Sequence, residues 1–311
     1  MVIAGLALGG GSSKGLSHIG VFRALEEEGI TIGCISGTSM GAIIGAIYAA
    51  SIDVNKLPKM AKKITASKAF KKLGFSVFKR EEESRLQKIV HLLREKLLFA
   101  EALFKPYLVE ETEIIDTVNQ IIPDMTIQET IIPFSTVSLD LISGYDVIRT
   151  KGSLRDAVMT SMAIPGIFPY SEEKGNLLVD AGPTSAVPVF AVRYMGADIV
   201  IAVSLRGKLR KEIKPTTGLE IHLRIDEIVT TRLIETQTLT ADVVIRPDVE
   251  DVHWADFSRI DYCIEKGYEA AQEAIPQIKK ALLRKSSLRS RMRVFFSKRK
   301  KDEVTRFQKT L

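Results

Sequence analysis

Gly37-Thr38-Ser39-Met40-Gly41 is the stretch of this sequence best suited to chemistry. A G-x-S-x-G pentapeptide presents its serine hydroxyl when a strand precedes it and a helix follows, because the sharp turn between them lifts the side chain clear of the backbone. Both flanks are present, an apolar run over 30–35 and a small-residue run over 42–50. Gly37 and Gly41 permit the tight turn. Gly41, Gly45 and Ala49 recur every four residues and give the helix one bare face for close packing on a sheet. The N-terminus of that helix would set partial positive charge at Ser39, where an alkoxide or oxyanion develops.

A serine hydroxyl is a poor nucleophile near neutral pH without a base. The chain has four histidines, His18, His91, His222 and His253, and none sits in a turn after a strand beside a carboxylate. A Ser-His-Asp triad is hard to assemble from them, which leaves a serine paired directly with an aspartate. Asp180 ends the short apolar run Leu177-Leu178-Val179 and is followed by Ala181-Gly182-Pro183. An aspartate leaving a strand is commonly a turn or cap residue, so a base and a cap both stand as readings at this point.

The second motif is Gly9-Gly10-Gly11-Ser12-Ser13-Lys14-Gly15, which follows a strand over 2–8 and opens a helix that Gly29 ends. Exposed N–H groups before a helix cradle anions. The loop lacks the G-x-x-x-x-G-K-[ST] spacing, and no acidic residue closes a following strand about twenty residues on, which argues against nucleotide binding. Parallel strands would instead bring this loop and the Ser39 turn to one carboxyl edge, where doubly wound sheets place their sites. N–H groups around Gly10 and Gly11 would then face an acyl oxyanion. Gly9, Gly10, Gly11 and Ser12 are the expected oxyanion-hole positions, and Lys14, Gly15 and Met40 the expected substrate-binding ones. Lys14 either adds positive charge there or is a solvated loop lysine.

Strand, glycine loop, helix, strand, elbow, helix is the opening of a doubly wound α/β sheet. From about 53 to 125 the pattern turns helical, with apolar Leu97, Leu98, Phe99 and Phe104. That insertion is either a lid or membrane-facing cap over the carboxyl edge, or a helical layer with a solvated face. Strands are expected over 131–139 and 145–149 around a Ser143-Gly144 turn. Ser153 and Asp156 start a helix through Met162, ended by Pro165. A core strand over 197–204, a loop over 206–218, a helix over 219–238, a strand over 243–245 and a last helix over 261–283 complete the expected order. Trp254, the only tryptophan, is either a packing residue or an interfacial anchor.

The 311 residues, 45% hydrophobic, can bury a large core. The N-terminal apolar stretch lacks a basic n-region and reads as a strand instead of a signal peptide. No apolar run reaches the roughly 18 residues that span a bilayer. Two cysteines, Cys34 and Cys263, suggest no disulfide framework, so a cytoplasmic protein is expected, either free or peripheral on the inner face of the membrane. The net charge of +6 is uneven: 279–301 holds eleven basic residues and no acid, leaving 33 basic against 38 acidic elsewhere. A second acid-free stretch, 56–80, holds nine basic residues with Phe70, Phe75 and Phe78 among them. In the tail, Leu288, Met292, Val294, Phe295 and Phe296 alternate with arginine. That composition suits a segment lying on an anionic membrane, against the alternative of a disordered basic tail. Nucleic acid is disfavoured for want of a stacking or groove-reading module.

The ordered motifs resemble the patatin-like phospholipases, which combine a glycine-rich oxyanion loop, a G-x-S-x-G elbow and a D-G-[GA] aspartate. Here these are Gly9-Gly10-Gly11 through Gly15, Gly37-Thr38-Ser39-Met40-Gly41, and Asp180-Ala181-Gly182. Gly15-Leu16-Ser17-His18-Ile19-Gly20 and Ser161-Met162-Ala163-Ile164-Pro165 are similar as well. The resemblance covers roughly 2–204 outside the insertion, and more weakly Asp256-Phe257 and Gly267. Lys14 stands where the family usually has arginine, which keeps the charge and loses the planar donor fork. Ala181 stands where a glycine usually follows the aspartate. The resemblance implies a three-layer α/β/α sandwich with a mostly parallel sheet as a catalytic domain over 1–283, with a basic tail over 284–311. It implies a Ser39-Asp180 dyad hydrolysing acyl esters of lipids, phospholipase A or lysophospholipase-like, without metal or cofactor. Two rivals remain. An acyltransferase or thioesterase would need a histidine partner and usually has histidine where Met40 stands; a catalytically silent lipid-binding or scaffold protein would leave the dyad idle.

Overall fold

The computed structural model describes residues 2–75, 105–205, 209 and 214–308, and of 288–308 the backbone alone. Phe78, Leu97, Leu98, Phe99, Phe104 and much of the loop 206–218 lie outside the described residues, as do the side chains of Leu288, Met292, Val294, Phe295 and Phe296. In chain order the described elements are β1 (Ala4–Leu8), α1 (Ser17–Glu27), β2 (Ile32–Gly37), α2 (Met40–Ser51), α3 (Leu57–Thr65), α4 (Lys68–Lys72), α5 (Glu111–Ile121), β3 (Phe134–Asp140) and β4 (Asp146–Arg149). They continue with α6 (Leu154–Ser161), β5 (Ser171–Glu173), β6 (Asn176–Asp180), α7 (Val189–Tyr194), β7 (Ile199–Val203), α8 (Gly218–Thr238), β8 (Val243–Ile245) and α9 (Ile260–Gln308).

The strands form one sheet in the order β5-β6-β3-β2-β1-β7-β8, with β4 also on β3. β1, β2, β3, β7 and β8 run parallel, while β4, β5 and β6 join antiparallel. Side chains alternate across a strand, and the two faces bury different residues. Leu6, Leu8, Ile35, Ile199, Ile201 and Val203 pack with α1, α2 and α9. Ala7, Cys34, Val200 and Ala202 pack with Val189, Val192 and Ile234 of α7 and α8. Helices on both faces make the expected three layers, the larger core lying under the bulkier side chains. Where α1 and α9 cross, a Cβ on Gly20 would strike the backbone of Ile264 and one on Gly267 that of Ser17.

The described parts of the insertion are helical. Leu57, Leu73, Phe75, Val109, Ile114 and Val118 are buried in the main core, while Lys59, Lys63, Lys68 and Lys71 are exposed. Both readings of the insertion, lid or solvated helical layer, turn on 76–104 as well, which lie outside the described residues. β5 and α7 were not legible in the sequence. The last helix does not stop near Leu283: α9 continues to Gln308, because the run after Leu283 is rich in arginine and lysine, which are good helix formers, and holds no proline or glycine.

Candidate active site

Ser39 is set by the meeting of β2 and α2. β1, β2 and β7 end in register, Leu8 opposite both Gly37 and Val203, so three strand ends form one ledge. The chain turns there with Ser39 at φ 56° and ψ −124°, a conformation that costs a non-glycine residue about 1–3 kcal/mol and is held only by surrounding structure. Several contacts hold it. Thr38 N–H donates to Leu8 O (3.1 Å) and Thr38 Oγ1 to Ser185 O (2.8 Å). Ser39 N–H donates to Ser161 Oγ (3.1 Å), which donates to Val137 O (2.7 Å). Gly41 is required by close approach, since a Cβ there would strike the Leu8 carbonyl.

Asp180 reaches Ser39 through the antiparallel part of the sheet. One side of β3 carries β4, paired with Thr136 through Leu139. Its other side carries β2 at Phe134–Thr136 and then β6 at Ser138–Asp140. β2 and β6 therefore share one edge of β3 and run toward each other, so that their carboxyl ends meet. The Ser39 hydroxyl lies beside the Asp180 carboxyl and lowers its proton affinity, and Gly182 N–H donates to Asp180 Oδ1 (2.7 Å). Asp180 is 4% exposed and Ser39 8%. Burial pushes the Asp180 carboxyl up to about 6, against the opposing pull of the Ser39 and Gly182 hydrogen bonds.

The glycine loop packs over this pair, with a Cβ at Gly10 meeting that of Ser39 at 3.3 Å. Gly9 N–H donates to Val203 O (3.0 Å) and Gly10 N–H to Ala186 O (2.9 Å). Of the four expected oxyanion donors, Gly11 and Ser12 keep N–H groups without a backbone acceptor among the described residues, and Ser12 adopts φ 49°. Beneath the loop His18 is fully buried, its Nε2–H donating to Gly9 O (2.8 Å). Burial holds this imidazole down to about 4 and hence neutral, so it braces the loop and is no base for Ser39.

Gly10, Gly11, Ser12, Lys14, Ser39 and Asp180 line one pocket of about 590 Å³, closed on its far sides by Thr231 and Ile234 of α8 and by Trp254. Trp254 thus faces the pocket and also packs on Phe75 (centroids 6.2 Å). Gly9, Gly15 and Met40 do not line it. Gly15 packs on the Met40 side chain, which turns into a separate apolar hollow, because consecutive residues at a helix start point in different directions. Ser161 and the Gly182 N–H had no signal of their own in spacing or periodicity.

A profile of the Patatin family, described as patatin-like phospholipase, matches residues 6–193. An uncharacterised NTE family protein of Mycobacterium tuberculosis is 33% identical over 202 residues, which span 65% of this chain and 49% of that one. Lysophospholipase NTE1 of Pyricularia oryzae is 25% identical, over 88% of this chain and 18% of its own. Patatin-like phospholipase domain-containing protein 6 of Homo sapiens is 25% identical, over 85% and 20%. The chain thus spans between 18% and 49% of the length of these relatives. Among solved structures, VipD from Legionella pneumophila superposes with TM-score 0.47 and 14% identity, over 88% of this chain and 66% of that one.

Proposed function

The chain belongs to the patatin-like phospholipase family, and from that premise we propose that it is a serine acyl hydrolase of phospholipids or lysophospholipids working through Ser39 and Asp180. The observation that carries the reading is a serine on strained backbone whose hydroxyl shares a pocket with a buried aspartate, the burial raising that carboxyl to about 6. A carboxylate is a weak base in water, and burial strengthens it toward the optimum for proton transfer near neutral pH.

Asp180 takes the proton from Ser39 Oγ as that oxygen bonds to the ester carbonyl carbon. The carbonyl oxygen becomes an oxyanion facing the Gly11 and Ser12 N–H groups at the N-terminal end of α2. Collapse expels the alcohol, which takes the proton from Asp180 and leaves an acyl-serine. Water then gives its proton to Asp180 as its oxygen attacks the acyl carbon, and Ser39 departs with that proton as the fatty acid is released. Lys14 at the pocket rim suits the phosphate of a lipid head group. The basic stretch over 279–301 supports peripheral contact with anionic phospholipid; no described helix is long and apolar enough to cross a membrane.

The test is release of p-nitrophenol from a medium-chain ester together with labelling by a fluorophosphonate probe. The wild type should show both, and Ser39→Ala should lose labelling and at least about 10⁴-fold in hydrolysis. Equal hydrolysis by both proteins would refute the dyad. A wild type that neither reacts nor hydrolyses, yet binds lipid vesicles, would mark a silent lipid-binding protein.

A further inference from the structure

Met40, the residue after Ser39, lines a second hollow that shares no lining residue with the Ser39 pocket. Its volume is about 70 Å³, several times the ~10–15 Å³ that a water molecule requires. The wall is built by α2, α3 and α5, among them Ile44, Ile47, Met60 and Ala61, and none of its lining residues among the described ones is charged. Two carry hydroxyls, and both are satisfied within their own helices. Thr65 Oγ1 donates to Ala61 O (2.9 Å) and Thr117 Oγ1 to Glu113 O (2.9 Å). Among the described residues no side chain of the wall is left to hold water, and a cavity of this kind stays dry and accepts an apolar guest. Met40, Met60 and Met162 in the wall are side chains that adapt to an irregular guest.

A packed group of rings, Phe70, Phe75 and Phe257, stands between the hollow and the surface. Thr65, Phe70, Phe75 and Phe257 line both the hollow and an open basin of about 400 Å³. Lys62, Lys71, Asp256 and Ser258 stand around that basin. An apolar interior behind a polar rim is the complement of a molecule with one alkyl chain and a polar head. We propose that this hollow binds the chain of a single-chain amphiphile, which enters from the basin, leaves its head there and ends against Met40. The proposal does not depend on hydrolysis at Ser39, because chain and scissile bond occupy hollows with no lining residue in common.

The test uses the full-length Ser39→Ala protein and decanoate. Calorimetric titration should give one decanoate per chain, its terminal carbons in the hollow and the rest of its chain in the basin, and butanoate, too short to span both, should bind about a hundredfold more weakly. Ala61→Phe and Ile44→Phe fill the hollow from opposite walls, and each should weaken decanoate binding about tenfold, thermal unfolding showing that the variant is folded. An NMR measurement that needs no wall substitution looks for magnetisation transfer from the decanoate methyl to the Ile47 and Met60 methyls. Undiminished binding in both filled variants, absent transfer, or no decanoate binding at all would overturn the site. Hydrolysis by the wild type without decanoate binding would leave the proposed function standing and remove this inference. Binding confined to the hollow in a protein that hydrolyses nothing would do the reverse.

Discussion

Ser39 and Met40 are neighbours in sequence and face two hollows of opposite character. Around Ser39 the lining carries strained backbone, N–H groups without a backbone acceptor and a buried carboxyl. Around Met40 the polar side chains among the described residues, Thr65 and Thr117, are satisfied and the other lining side chains are apolar. The first environment is costly, since burying a carboxyl and holding positive φ both work against folding. The second costs only the dispersion contacts that an unfilled volume forgoes. One strand-to-helix turn separates them, and that short distance lets a reactive group and a chain-sized void coexist without exposing either to the other's requirements.

The strongest way to break that contrast is to neutralise the polar hollow. Asp180→Asn should lower ester hydrolysis by about 10³-fold, the usual reach of a general base, while leaving decanoate binding by the apolar hollow unchanged. In the wild type, kcat/KM should rise with pH to a plateau with a midpoint near 6, as Asp180 ionises. Stability should move the other way. The folded carboxyl holds its proton up to about 6, against 3.8 for an ordinary aspartate, so the folded state binds more protons in that window. This contribution is complete below the unfolded value and is lost as pH rises through the folded one. Asp180→Asn should therefore unfold at higher temperature than the wild type at pH 8, by roughly 2–3 kcal/mol in stability, and should flatten the dependence between pH 4 and 7. A wild-type Tm that does not fall across that window would contradict the buried, protonated assignment.

A smaller effect sharpens the contrast by touching only the frame of the polar hollow. Ser161→Ala removes the acceptor for Ser39 N–H and the donor to Val137 O, leaving buried groups unpaired at a cost of about 1–3 kcal/mol. It should lower kcat about tenfold with little change in KM, and Ser161→Thr, which keeps the hydroxyl, should recover most of the loss. A rise in KM alone would assign Ser161 to substrate binding. The smallest effect on either hollow should come from truncation after Leu283, beyond Ile278, which is fully buried at the core. Soluble-ester turnover should stay within about twofold, while binding to anionic vesicles weakens by up to ~1 kcal/mol per basic residue removed near the surface. Unchanged vesicle binding would dismiss the basic segment as a membrane contact.

Much of the polar hollow was legible because its parts are local. A glycine loop, an elbow and a strand ending in aspartate are each written in five to seven consecutive residues, whose types fix φ, ψ and turn geometry. The opening of a doubly wound sheet followed from strand and helix periodicity in the same way, and the three layers from the family resemblance. Other features were not legible. Which N–H groups of the glycine loop lack a backbone acceptor depends on Val203 and Ala186 lying beside Gly9 and Gly10. The support from Ser161 crosses 122 residues of sequence. The apolar hollow needs α2, α3 and α5 brought together, and no periodicity announces a void.

The sequence by itself determined the local chemistry of this protein: where the chain turns sharply, which hydroxyl is lifted, and which segments alternate or repeat like strands and helices. Only the tertiary structure decided that β2 and β6 run toward each other along one edge of β3, so that Ser39 meets Asp180, and that Met40 turns away into a dry cavity. The reason is physical. Backbone conformation is governed by steric rules acting over a few residues, whereas burial, proton affinity and cavity shape are set by side chains that folding brings together from distant parts of the chain.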